Sequence, residues 1–594
     1  MKCSQCGNEL KDNERYCSVC GTPVEPAGQG VSQAETWSQP ETMTAPGTGF
    51  GAGSGLEGGE PPKSKKKTGI IIGAVAAAAV AVGGLVFAMN QKDPKEIVIA
   101  AFENICPEGQ VSPMEELFGS SAFMENAKAA DAEASVTVVM DSCSDSEVDQ
   151  FSGSGFRITG KYDKTNKRGA ANIGVIYKDM DLANLDGYFD ESAIMVMFPE
   201  LSSRVFTIDI SDGLTERIKN SPILGPALEY QGIDVEGFSE YMESLTEQIE
   251  SGENAVLDFE ALMTRYREGT QAQEKFKEAL MVEKGEKGTF LMDGQEAQCS
   301  GYKVTVSKES MMEFLRSTTD FFLNDQELKD QYLKQLEQSV KMAELMGGGY
   351  AGITAADLYD ESVEDITGAV EEMIDFLDNS LTDVNMEVYV DKKGRLAAVM
   401  GTTVVNGEDM DEPVNVAFDF RLQGGSYLTQ NMTADITLTQ QEEIKLSMIR
   451  QGTYDGKRLT CDISVDLSMD GADAFDGGVV WTGTYDSEGG DYNMGLSVTS
   501  DNELMLELSL AGVVDELEKG TVFHTDVDQF KIDLMDGTET ITFSGEYSYK
   551  PLSEELSPLE GEAFDVLAAG EEEWQSVFME FYMGVMRLMS QLSL

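Results

Sequence analysis

Residues 443–469 decide the architecture of the C-terminal half: "EIKLSMIRQGTY", a turn at Asp455-Gly456, then "RLTCDISVDLSM" after Lys457. Leu459, Cys461, Ile463, Val465, Leu467 and Met469 alternate with Thr460, Asp462, Ser464, Asp466 and Ser468. A strand points successive side chains to opposite faces, so one face is apolar and the other wet. Asp-Gly suits the positive φ angles of a tight hairpin, and Asp536-Gly537 repeats the signal between "FKIDLM" and "TITFSGEYSY". Strands dominate for about 165 residues after Val384, so an antiparallel meander is expected. A meander with one wet face must bury the other, and helices are the available cover. Helical spacing returns over roughly 212–285 and 308–380, flanking one strand pair in "GTFLMDGQEAQCSGYKVTVS". The expected class is α+β: a curved antiparallel meander or half-barrel packed on helices.

Charge restricts the partners. The chain has 594 residues and a formal charge of −63. Residues 1–90 carry 7 Lys and Arg against 8 Asp and Glu, leaving 36 against 98 for residues 91–594. So acidic a surface repels nucleic acid and anionic headgroups, so no nucleic-acid partner is expected for this part.

The N-terminus has a different chemistry. Cys3, Cys6, Cys17 and Cys20 form two C-x2-C pairs ten residues apart, with Gly7 and Gly21 behind the second cysteine of each. Each pair makes a knuckle gripping one side of a tetrahedral Zn²⁺, and glycine permits the turn. Four thiolates leave no open position, so a structural zinc is expected, and so small a unit needs the metal to fold. Lys2, Lys11 and Arg15 are balanced by Glu9, Asp12 and Glu14, and Tyr16 is the only aromatic, which is not a nucleic-acid surface.

Residues 24–62 are rich in Gly, Pro, Ser, Thr and Gln and lack apolar periodicity, as a flexible tether spanning roughly 35 Å would. Lys63, Lys65, Lys66 and Lys67 follow, then residues 69–89, which are 21 residues without a charge. At 1.5 Å per residue this run matches a hydrocarbon core of about 30 Å. The lysine cluster precedes the span and the far flank is near neutral, so the positive-inside rule puts the N-terminus in the cytoplasm and the rest outside. A thiolate zinc site also survives best in a reducing compartment. Gly69 and Gly73 form one GxxxG step that would support a dimer.

Ribbon cysteines, tether, lysine cluster and one membrane helix before a large outer region together resemble the zinc-ribbon single-pass membrane proteins of Gram-positive Firmicutes, the type that includes the teicoplanin-resistance-associated membrane protein. The resemblance covers about the first ninety residues and implies a cell-membrane topology. The expected organisation is therefore a zinc ribbon at 1–23, a linker at 24–67, a transmembrane helix at 68–90, a helical stalk at 91–130 and an extracellular α+β region at 131–594. That region divides into mixed strands and helices (131–380), the meander (381–550) and a C-terminal segment with an amphipathic helix (551–594).

Outside the membrane, Asp93 and Pro94 read as N-cap and first residue of a helix, and Ser112-Pro113 starts another, as a stalk or a lid beside the bilayer. Near the C-terminus Trp574, Val577, Phe578, Phe581, Tyr582, Val585, Leu588, Met589 and Leu592 follow helical spacing, and Met579, Met583 and Met586 widen the apolar arc. A core helix is the simpler reading, a groove for a greasy ligand the sharper one. Cys106, Cys143, Cys299 and Cys461 are scattered and read as buried thiols rather than disulfides.

Catalytic signals are sparse. His524 is the only histidine, with Asp526 and Asp528 near it in sequence, and its expected role is structural. No G-x-S-x-G elbow, phosphate-cradling loop or S-x-x-K set stands in a suitable context. Acidic turns near Asp179 and Asp470 lack EF-hand spacing, which leaves Ca²⁺ without a motif. The expected function is non-enzymatic: an outer domain binding a hydrophobic ligand or a protein, with the ribbon as docking module. The alternatives are a carboxylate-dependent extracellular hydrolase and a membrane-tethered nucleic-acid binder acting through the ribbon.

Overall fold

The computed structural model describes residues 93–105, 110–211, 213–230, 259–345, 354–407, 412–471, 474–534 and 537–592. All of them belong to one compact unit, Ser64–Leu594. The ribbon cysteines, the linker, Cys106 and the run 69–89 lie outside the described residues. Among the described residues no helix is long and apolar enough to cross a membrane.

One large open sheet dominates. Strands β1 (Ala132–Cys143), β2 (Ser154–Asp163), β3 (Arg168–Tyr177), β4 (Met180–Phe189), β5 (Ala193–Met197) and β6 (Arg204–Asp209) form a first antiparallel meander. β7 (Met281–Lys284) and β8 (Gly288–Met292) both pair with β9 (Gln295–Val306). Then comes the expected long meander: β10 (Val384–Val390), β11 (Leu396–Val405), β12 (Val414–Leu422), β13 (Met432–Thr439), β14 (Glu443–Tyr454) and β15 (Arg458–Met469). It continues through β16 (Phe475–Asp486), β17 (Asp491–Ser500), β18 (Glu503–Glu518), β19 (Val522–Leu534) and β20 (Glu539–Pro551). β21 (Glu562–Asp565) lies parallel to β6.

Two long-range pairings fuse these groups. β20 pairs with β1, placing Gly545 opposite Val138 and Tyr547 opposite Val136, and β10 pairs with β9. Both hairpin glycines take the expected left-handed conformation, Gly456 at φ +89° and Gly537 at φ +83°.

Helices cover one end of the apolar face. Helix α1 (Pro94–Glu103) starts as its sequence dictates: Pro94 opens it, and the Asp93 carboxylate accepts from the Lys95 N–H. It does not stand apart as a stalk, because Val98 and Phe102 are wholly buried and the helix packs on β7 and β10. Helices α2 (Pro113–Phe118) and α3 (Ser120–Ala129) break at Gly119, φ +68°. Near β6 stand α4 (Leu214–Asn220) and α5 (Leu224–Tyr230). Five helices follow: α6 (Phe259–Gly269), α7 (Ala272–Ala279), α8 (Lys308–Asn324), α9 (Gln326–Leu345) and α10 (Ala355–Ser380). Thr354 and Asp357 close a reciprocal capping box at the start of α10. Phe276 of α7 and Met311 of α8 join Val98 and Phe102 in one core with Val304, Met386, Val388, Val399, Val416 and Phe418 of the sheet.

The C-terminal helix α11 (Glu571–Leu592) is not a core helix around its whole girth. Val577 is buried, Trp574 stacks on Phe206 of β6 at 6.5 Å between ring centroids, and Phe581 meets the same ring edge-on at 5.8 Å. Arg204 and Glu580 pin it at 2.8 Å. Phe578, Met579, Tyr582, Met583, Met586 and Met589 face solvent.

Candidate functional site

The alternation of each strand becomes a continuous apolar surface because the registers match. From β15 to β20, Ile463 stands opposite Trp481, Trp481 opposite Leu496, Leu496 opposite Leu508, Leu508 opposite Ile532, and Ile532 opposite Ile541. A neighbouring row runs Leu459, Tyr485, Tyr492. Across the β20–β1 junction the face continues through Tyr547, Val136, Ile158 and Ile173, and through Gly545, Val138, Phe156 and Val175.

Over β9–β13 this face is under helices, with Val388 at 0% and Val416 at 1% exposure. Beyond β14 the cover thins, and Val479 reaches 40% and Phe156 44%. Leaving large apolar side chains uncovered in water is unfavourable, at about 25 cal/mol per Å², and patches of this kind mark binding surfaces.

A cavity of about 910 Å³ sits where α2 and α3 cross this face. Its floor takes Cys461, Trp481, Met494, Leu510, Val527 and Tyr547, one from each of β15 to β20, so six successive strands wrap one space and the sheet is concave here. Its roof takes Met114, Phe118, Phe123 and Met124 from the two helices. Among the described residues no charged side chain lines it. The Thr525 hydroxyl donates to the Tyr492 hydroxyl at 3.1 Å, and the Tyr492 hydroxyl donates in turn to the Asp526 carbonyl at 3.4 Å. Burial pushes the Tyr485 and Tyr492 phenols up, as a low-polarity environment requires. Ligand cavities commonly fall within about 300–1,000 Å³, and this one is at the large, apolar end.

The roof is held by few contacts. Phe118 lies 4.6 Å from Tyr485, and Phe123 lies 6.3 Å from Phe523 and 5.8 Å from Tyr549, between centroids. Asn126 donates to the Gly520 carbonyl at 2.6 Å, and Lys519 donates to the Glu116 carbonyl. Gly520, at φ +81° in the β18–β19 turn, has no room for a side chain, because a Cβ there would come within 2.4 Å of the Ala122 Cβ. Gly520→Val is expected to lift α3 off the cavity at about 1–3 kcal/mol, comparable with overpacking. Urea unfolding with anilinonaphthalene sulfonate fluorescence checks this: the variant should be less stable and bind more dye.

His524 lies on the opposite, polar face. Its Nδ1 pairs with Asp515 of β18, a partner 9 residues away that sequence proximity did not suggest, and Asp526 and Glu546 offer further oxygens within 4.8 Å. Asp526 stands directly opposite Glu546, and both are exposed. The Asp515 hydrogen bond, with charge from Asp515, Asp526 and Glu546, raises the His524 pKa above its usual 6.5, while His524 lowers that of Asp515. The histidine part of this stabilisation is therefore complete below about pH 6.5 and lost as pH rises through the folded value; the aspartate part is lost as pH falls through its own. Because the chain has a single histidine, proton NMR should show one imidazole midpoint above 6.5 that drops in Asp515→Asn.

Cys299 and Cys461 are buried free thiols and Cys143 is a half-buried one. Cys461 lies on the cavity floor, and burial raises the Cys299 thiol. The acidic segment from Asp179 is the β3–β4 turn and strand β4 rather than a cation loop. The acidic turn at Asp470 reaches residues outside the described set.

The zinc-ribbon domain family matches residues 2–24. The N-terminus thus carries a zinc ribbon, a structural zinc-binding module. No curated protein and no solved structure matches the chain.

Proposed function

We propose that this is a membrane-anchored envelope protein whose outer sheet binds the acyl chains of lipids in the lidded cleft between β15 and β20. The observation carrying the reading is the cavity of about 910 Å³ built by six consecutive strands and two helices, without one charged side chain among the described residues. A polar ligand would lose its hydration there with nothing to replace it, whereas a buried methylene gains about 0.8 kcal/mol. The acidic outer surface fits this division of labour, since it keeps so apolar a carrier soluble and turns nucleic acid away.

In this reading residues 69–89 are the single-pass anchor, the N-terminus is cytoplasmic, and Cys3, Cys6, Cys17 and Cys20 hold one structural Zn²⁺ in a docking module. The protein works by binding rather than catalysis. Trp481 supplies the probe for the cleft: brominated oleate should quench its fluorescence, and Trp481→Phe should remove most of that quenching. Equal quenching in both proteins would overturn the assignment. For topology, cysteine labelling of intact cells should reach an engineered site near residue 430 and miss one near residue 40.

A further inference from the structure

The cleft under α2 and α3 is only one part of the apolar face. Past β20 the same face runs on, in register, from Tyr547 to Val136, Ile158, Ile173 and Leu185 in β1 to β4, and from Gly545 to Val138, Phe156, Val175 and Ala183 beside them. No charged residue interrupts either row. Phe156 is 44% and Ile173 41% exposed, so among the described residues this stretch lacks the cover the first part has.

We propose that the face is a continuous track holding several acyl chains at once, with the open stretch on β1–β4 as the mouth through which chains reach the lidded cleft. The proposal rests on the acyl-chain reading above. Strands β15 to β20 and β1 to β4 are ten neighbours in the sheet, and at about 4.8 Å per strand the track is roughly 43 Å long. Each lipid leaflet supplies about 15 Å of a 30 Å hydrocarbon core, so the track exceeds one chain about threefold. Continuity fixes the occupant: the open stretch has the same chemistry as the cleft it joins, and the concavity at β15–β20 leaves the face exposed toward β1. A second copy of the chain seated on β1–β4 is the competing occupant.

The test uses the full-length protein incubated with zwitterionic vesicles of dioleoylphosphatidylcholine and dioleoylphosphatidylethanolamine, with a benzophenone side chain at Phe156 in one variant and at Trp481 in another. Lipid adducts at both positions, and a lipid content that falls about twofold in Ile158→Asp/Ile173→Asp without reaching zero, are expected. Adducts at Trp481 alone, or a chain-to-chain adduct at Phe156, would overturn the track while leaving the cleft reading intact. Adducts at neither position would overturn both. Circular dichroism and an unchanged thermal transition show that the double variant is folded.

Discussion

Met494→Asp is expected to empty the cleft. Met494 lines the floor on β17, directly across from Leu510 and Gly483, and is partly open to the cavity, so the strand tolerates the change. A carboxylate there demands water, and water on the floor displaces chain. Losing contact with about five methylenes at 0.8 kcal/mol each removes about 4 kcal/mol, roughly a thousandfold in affinity. The pairing of β17 with β16 and β18 uses backbone groups and stays in place, so the melting temperature should move by only a few degrees. Met494→Leu keeps the apolar floor and should bind as the parent does. Titration with a fluorescent fatty acid separates the three proteins.

Cys6→Ser is expected to abolish zinc binding at the N-terminus. A zinc ribbon occupying residues 2–24 has too few apolar residues to fold without metal, and structural zinc contributes an apparent 10–16 kcal/mol in small modules. With one thiolate lost, the remaining three no longer close the tetrahedron. Metal analysis should fall from a single equivalent of zinc to near none, and residues 2–24 should become protease-sensitive. Since residues 93–592 lie in the other structural unit, their thermal transition should be unchanged.

Much of the sheet was legible because its signals are local. The alternation in Leu459 to Met469 identified both the strand and its apolar side, though of that side only Cys461 is buried, Asp455-Gly456 identified the hairpin, and Asp93-Pro94 and Ser112-Pro113 placed two helix starts within a residue. Pairing between residues about 400 apart leaves no such trace. Nothing in "ASVTVVM" names "TFSGEYSY" as its partner, so the two strand-rich regions read as separate blocks, and their fusion through β1 and β20 emerges only from the three-dimensional register. The cleft was half visible: an apolar face was expected, but which strands the helices would leave bare depends on where α1, α2 and α3 settle. Asp515 was missed for His524 because it sits at the register shift beside Glu516, the residue opposite His524, and such a contact answers to register rather than to sequence distance. The periodicity of α11 gave its helicity but not its exposure, since apolar residues spread around nearly the whole helix do not say which strip meets β6.

Lipid extracted from the purified full-length protein tests the central claim most directly. Phospholipid and free acyl chains are counted per chain by mass spectrometry in parent and Met494→Asp proteins purified side by side. Lipid held elsewhere on the protein is common to both and cancels. The binding reading requires an excess of at least one acyl-chain lipid per chain in the parent, lost in the variant. Equal lipid content in two folded proteins would contradict it and leave the cleft without its assigned occupant.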